Sequence, residues 1–478
     1  MRRLLLCVLL VACGDDAATC PGPIEDGDPN GHPDPLGASA TEARAGRIRE
    51  ADLPPVESGL ITWHDGDFVL ANDKVALVIE DVGDSDLYDP WGGRPVGLAR
   101  VEGGKLVSPN NFGELFILTG RSTVVTEAVS VIADGSDGGP AIVRARGRLH
   151  PLPFVENLAG VLYNDQYTDI EAAIDYVLEP GAEHVDIIMR YASARDQVTS
   201  VPSTMHAVMY SERTAPRAFQ PGLGFDETLN SPYLALVEDG ATSWAYTPGD
   251  GMLQSSIAAS GFLGAFGPGF EIPACGTSER LHAKLIIGGP GLDGVQAAAA
   301  RTLGVEEREI TGTVTRGGAP AAGIHVHATD GTKYITRTTT DDSGAFTLHV
   351  PTGANVHLDA FAPGDAIGTA EVGTGTSATI ALPARGAIHV VATENAQPVP
   401  VRVQVLAADV PRLPDNYGEK PIAGGRVYVE FPLDGDITLP VPPGDYEVIV
   451  SRGYEYEIVR QNVTVTAEAT VEVDAQLD

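Results

Sequence analysis

Basic residues are scarce in this chain: 31 Lys and Arg stand against 65 Asp and Glu, a formal net charge of −34 over 478 residues. A body so acidic is a poor partner for nucleic acid or anionic lipid headgroups. Long apolar runs are missing too. The one at the N-terminus, "LLLCVLLVAC" (Leu4 to Cys13), is too brief to span a bilayer as a mature helix. No later segment is apolar enough to hold the chain in a membrane. Neither Gly-x-Ser-x-Gly nor His-Glu-x-x-His occurs, which removes two common hydrolase signatures. Helical patterning is confined to short stretches such as "GVQAAAARTL", and cysteine numbers only four.

What is present is β structure. Gly 55 and Pro 35 supply many turns, and runs such as "VTVTAEATVEVDA" (Val463 to Ala475) alternate with period two. Length leaves room for about three domains. The pattern predicts an all-β chain: a large antiparallel sandwich at 57–305, then two small sandwiches at 306–385 and 386–478. "GDFVLANDKVALVIED" reads as a hairpin around Asn72-Asp73. Residues 13–56, rich in Asp, Pro, Gly and Ala, read as a flexible acidic tether.

The basic pair Arg2-Arg3 before the apolar run marks residues 1–12 as an export signal. Leu10-Val11-Ala12-Cys13 resembles a bacterial lipobox, which implies acylation of Cys13 and a lipid-anchored, extracytoplasmic protein of the outer membrane or cell surface rather than the inner membrane. Cleavage there removes two Arg and no acid, taking the charge to −36. Cys20 and Cys275 remain, in a compartment where disulfides persist, either paired or as two free thiols.

Other resemblances cover parts of the chain. "DYVLEPGAEHVDIIMRY" is similar to hairpins of galactose-mutarotase-like super-sandwiches. Ile310-x-Gly312-x-Val314 followed by Thr340-Asp341-x-x-Gly344-x-Phe346 resembles a carboxypeptidase-regulatory-like domain, a transthyretin-like sandwich, with Asn355 where that family usually has Tyr. Pro443-Gly444-x-Tyr446 repeats its ending in the second unit, which lacks the Thr-Asp-x-x-Gly-x-Phe element. The layout, and the ending "GYEYEIVRQNVTVTAEATVEVDAQL", resemble the accessory region that precedes a polymerase-and-histidinol-phosphatase (PHP) type metallohydrolase in some bacterial lipoproteins.

Four sets of residues invite chemistry. In "GIHVHATDG" alternation puts His325 and His327 on the face opposite Ile324 and Val326; His349 and His357 also point outward, so the four either gather a zinc ion or are solvated. PHP enzymes need Asp two residues before the His-x-His; here it is Gly323. Asp26, Asp28, Asn30 and Asp34 match positions of a calcium loop, but position 12 is Gly37, so the segment is either a weak Ca²⁺ site or a solvated acidic linker. "DLYDPWGGRP" offers Tyr88 and Trp91 as a sugar-stacking platform with Asp89 and Arg94 beside them, or is simply a packed loop. Gly289-x-Gly291-x-x-Gly294 mimics a dinucleotide fingerprint but is followed by an antiparallel-looking strand, so no nucleotide is expected.

The expectation is a non-enzymatic envelope protein, anchored by lipid and binding glycan or envelope protein, without a cofactor beyond weak Ca²⁺. The alternative is the accessory portion of a PHP-type hydrolase whose catalytic domain is absent from this chain. Substituting Cys13→Ser should abolish incorporation of labelled fatty acid and shift the protein from the membrane to the soluble fraction. Retention of the variant on membranes would refute the lipobox reading.

Overall fold

The computed structural model describes residues 20, 22–54, 63–83, 89–111, 114–153, 167–202, 204–210, 218–225, 230–259, 262–419 and 424–477. The signal, Cys13 and Tyr88 lie outside them. Described residues form an all-β molecule of several antiparallel sandwich modules with one α-helix, Gly291–Leu303.

The first module stacks a seven-stranded, a five-stranded and a four-stranded sheet around a common core. Its strands follow from period-two patterning: along His184–Ser193 the residues Val185, Ile187, Met189 and Tyr191 are all buried, while Asp186, Ile188 and Arg190 between them are partly exposed. Phe68–Asn72 and Val75–Ile79 are buried on both faces, because their sheet has apolar neighbours on each side. Asn72 makes the turn between them. Its Oδ1 accepts from the amides of Lys74 and Val75, and its Nδ2 donates to the carbonyls of Glu179 and Ala182, stapling this sheet to the next.

The tether expectation is corrected here. Residues 22–54 pack onto the module: Leu36, Ala43, Ala45 and Ile48 are buried, and Ala43–Arg47 is an edge strand paired with Phe68–Asn72. Alanine and glycine supply too little hydrophobic contrast for alternation to show. The segment is held largely by backbone and charge, including Asp28 to Val131 in both directions and Asp26 to Arg146 at 2.7 Å.

Gly276–Pro290 is the longest strand among the described residues, with 15 residues spanning about 50 Å at ~3.3 Å each. Cys275, at its start, is disulfide-bonded to Cys20. Its other end turns through Gly291 (φ +74°) into the helix, which folds back so closely that a Cβ on Gly288 would lie 2.3 Å from Val295. The glycines therefore serve helix–strand packing. Both neighbours of that strand are antiparallel, so the βα series of a nucleotide fold is not formed among the described residues.

Two small sandwiches follow, with one topology strand for strand. In the first, Glu307–Arg316 pairs with Ala319–Pro320, Ala345–Pro351 and, in parallel, Ser377–Leu382; the facing sheet runs Lys333–Thr339, His325–Asp330, Val356–Phe361, Gly368–Gly373. In the second, Gly386–Glu394 pairs with Gln397–Pro398, Asp436–Val441 and, in parallel, Thr470–Gln476, against Arg426–Glu430, Arg402–Ala407, Gly444–Ser451, Val459–Val465. Asp341 shows why its motif is built so: Oδ1 accepts from the amides of Ser343 and Ala345, Gly344 takes φ +74°, and Phe346, Leu348 and Val350 enter the core. The second sandwich closes with Tyr446, whose hydroxyl donates to Pro442 O at 2.6 Å.

Asp175, 1% exposed, lies between two guanidiniums: Arg144 donates to it twice, at 2.6 and 2.8 Å, and Arg190 once at 2.5 Å. Removing the carboxylate strands Arg144 in the interior. Asp175→Ala should cost about 3–5 kcal/mol, read as a lowered urea midpoint with an unchanged m-value; a loss below 1 kcal/mol would show that the triad is not a buried network.

Candidate functional site

The two sandwiches differ in one connection. Where the first turns directly from Asp330 to Lys333, the second inserts residues 408–425 between Arg402–Ala407 and Arg426–Glu430. Its first part, residues 408–419, crosses the outer face of the first sandwich as a strap and reaches the first module, where Asn416 O accepts from the Phe225 amide at 2.8 Å. Leu413 and Tyr417 of the strap, Tyr334 of the first sandwich, and Phe219, Phe225 and Leu292 of the first module share one apolar cluster.

Under the strap lie two of the predicted histidines. His325 and His327 do share a face, as alternation requires, but that face is covered and His327 is fully buried. Glu419 closes over them: His325 Nδ1 donates to Oε1 at 2.6 Å and His327 Nε2 lies 3.1 Å from the same oxygen. Among the described residues these three are the group of His, Cys, Asp or Glu whose ligand atoms all lie within 4.8 Å of one another. His327 Nδ1 is hydrogen-bonded to the Tyr334 hydroxyl at 2.8 Å. Arg337 sits at the edge, 3.7 Å from Glu419 and 3.6 Å from Asp239, and donates to Tyr417 O.

Electrostatics follow from burial. Desolvation pushes the His327 imidazole below its ordinary range, against the pull of Glu419, so it is neutral near pH 7. Burial alone would raise the Glu419 carboxyl, but the hydrogen bond from His325 and the adjacent His327 imidazole outweigh it and hold the group ionised.

The other two histidines are elsewhere, so the four-histidine zinc cluster is corrected. His349 bonds Asp293, in the first turn of the helix, through Nδ1 at 2.7 Å and through its backbone amide at 2.8 Å. His357 lies between Glu371 and Asp359. The calcium-loop expectation fails on geometry as well: Asp26 pairs with Arg146, Asp28 accepts from the Asn30 amide, and Asp34 faces Arg44 and Arg49. Of the sugar platform, Tyr88 lies outside the described residues, and the other three residues pack inward. Asp89 and Arg94 are interior, 3% and 2% exposed, with Arg94 3.2 Å from Glu80 and 3.5 Å from Asp89, while Trp91 packs edge-on to His150. Glu419 was missed by sequence reasoning, since no local signal ties it to a strand 94 residues earlier. Missed also was a buried imidazole stack, His206 on His282 at 3.7 Å, with burial pushing His282 down to about 3.

Beside the strap a cleft of about 270 Å³ opens between the sandwiches, lined in part by Phe361, Asp365, Leu413 and Tyr446. Two more open depressions, of about 460 Å³ beside Leu406, Tyr446 and Val463 and about 410 Å³ at 195–200, are larger.

No protein-family model matches the chain, and no curated protein matches it. Among solved structures it is similar to the minor pilin GBS52 of Streptococcus agalactiae, at 12% identity and TM-score 0.21 over 35% of this chain and 95% of that one. It is similar to the shaft pilin SpaA of Lactobacillus rhamnosus GG, at 7% and 0.22 over 36% and 98%. A third is the GH36 α-galactosidase AgaB of Geobacillus stearothermophilus, at 11% and 0.30 over 48% of this chain and 41% of the enzyme. Scores this low carry no argument about function.

The His349–Asp293 pair joins the helix to the first sandwich and gives a pH signature. The Asp293 hydrogen bond raises the His349 pKa above 6.5, against desolvation. A raised folded-state value means stabilisation that is complete below pH 6.5 and lost as pH rises through the folded pKa. His349→Gln should remove that component of the alkaline-side decline in urea stability between about pH 6 and 8. An unchanged decline in the variant would show that the pair does not couple to folding.

Proposed function

We propose that this chain is a non-enzymatic, lipid-anchored envelope protein that presents a rigid pair of β-sandwiches to a protein or glycan partner. The observation that carries the reading is the strand Gly276–Pro290. At one end it is tied by Cys275 to Cys20, seven residues after the acylation candidate Cys13; at the other it leads through the helix into the sandwiches. A tether bound there would lie at the opposite end of that ~50 Å strand from the turn that leads, through the helix, to the sandwiches. The polar groups that suggested chemistry have interior duties: Asp89 and Arg94 pair inside the first module, and His325, His327 and Glu419 hold the strap.

The purified mature chain, residues 13–478, supplied with Mn²⁺, Fe²⁺ or Zn²⁺ should show no phosphoesterase or amidase turnover above the metal-only blank. Metal-dependent turnover that follows the protein through purification and vanishes in His325→Ala would overturn the non-enzymatic reading.

A further inference from the structure

We propose that His325, His327 and Glu419 form a zinc site that pins the strap of the second sandwich to the face of the first. The three donors are two imidazoles two residues apart on one strand, which places their rings side by side, and one carboxylate delivered from another module. Their ligand atoms all fall within 4.8 Å of one another. Tetrahedral zinc with bonds of about 2.0–2.2 Å separates its ligands by roughly 3.4 Å. His327 Nε2 and Glu419 Oε1, at 3.1 Å, are nearly at that spacing; His325 Nδ1, at 2.6 Å, needs the carboxylate to withdraw by less than ~1 Å.

A second observation concerns His327 alone. It is fully buried, yet its Nε2 makes no aligned hydrogen bond. The nitrogen lies 3.1 Å from Glu419 Oε1 without a well-aligned hydrogen bond to it. Its other nitrogen is held by the Tyr334 hydroxyl, which fixes the ring as an outer-shell oxygen does for a metal-bound histidine. An N₂O donor set suits zinc and disfavours Ca²⁺ and Mg²⁺, which take oxygen ligands. Arg337 is the cation nearest the site; its charge is shared with Asp239 and with Tyr417 O, so the surroundings keep one carboxylate in excess. The ion would have three protein ligands and one further position, filled by water. Since Glu419 comes from the second sandwich, the first sandwich alone would hold no such site.

The test uses the mature chain made acyl-free by Cys13→Ser, stripped with a chelator and titrated with Zn²⁺ by calorimetry, and separately with Co²⁺ followed by visible absorption. Expected are one zinc per chain, a rise in melting temperature on loading, and the intense d–d bands of four-coordinate cobalt. Glu419→Gln and His327→Ala should each weaken binding at least tenfold and abolish the thermal shift, while His357→Ala leaves both unchanged. The cobalt spectrum of the parent chain needs no variant, so it decides the matter even if His327→Ala does not fold. Absence of a stoichiometric ion, octahedral cobalt bands, or one equivalent bound unchanged in Glu419→Gln would each overturn the site.

Discussion

The arrangement of this molecule depends on an apolar contact shared by three modules, made where Leu413 and Tyr417 of the strap meet Tyr334, Phe219, Phe225 and Leu292. Sandwiches joined by a linker as short as Leu382 to Gly386 would still pivot about it if nothing else touched, because small polar interfaces between domains are the rule. Here each large side chain withdrawn from water contributes about 1.5–3 kcal/mol, and the aromatic rings meet in tilted contact, Tyr334 against Tyr417 at 4.7 Å. Polar groups then fix the register: Glu419 on the histidines, Arg337 on Tyr417 O, Tyr417 Oη on Asp359. The apolar part supplies most of the attraction and the polar part selects one position among many.

Several of the scarce arginines hold defined places among the described residues. Arg308 alone donates to five carbonyl oxygens, those of Gly375, Pro351, Thr352, Ala354 and Gly373, and so closes the proximal end of the first sandwich. Arg316 holds buried Asp365, and Arg301 reaches from the helix to Glu183. In a chain of net charge −34 these cations relieve local repulsion where carboxylates crowd.

Alternation made the β class legible, as in Val185 to Tyr191, and the Asp341–Gly344 turn was legible because its chemistry is local. The N-terminal segment was not, since Ala43, Ala45 and Gly46 bury well without looking hydrophobic. At the site, period two put His325 and His327 correctly on one face, away from their own core. Whether that face meets solvent was beyond it: the cover is an insertion in a later repeat, and Glu419 has no sequence relation to the strand it closes. The same holds for His349, which faces outward from its sandwich and meets Asp293 of the helix. Local periodicity fixes direction, while the neighbour in that direction is a property of tertiary structure.

The disulfide has a mechanical meaning. Cys20 and Cys275, 255 positions apart in the sequence, close a covalent loop, so a pull applied on the N-terminal side of Cys20 divides at that bond. Its direct route runs from Cys275 along Gly276–Pro290 and into the helix, bypassing nearly all of the first module. That strand lies between Thr242–Pro248 and His184–Ser193, hydrogen-bonded on both edges, and tension along it loads many bonds in shear at once. The intervening chain is shielded from extension, and the first part of the molecule to yield under load would lie beyond the helix.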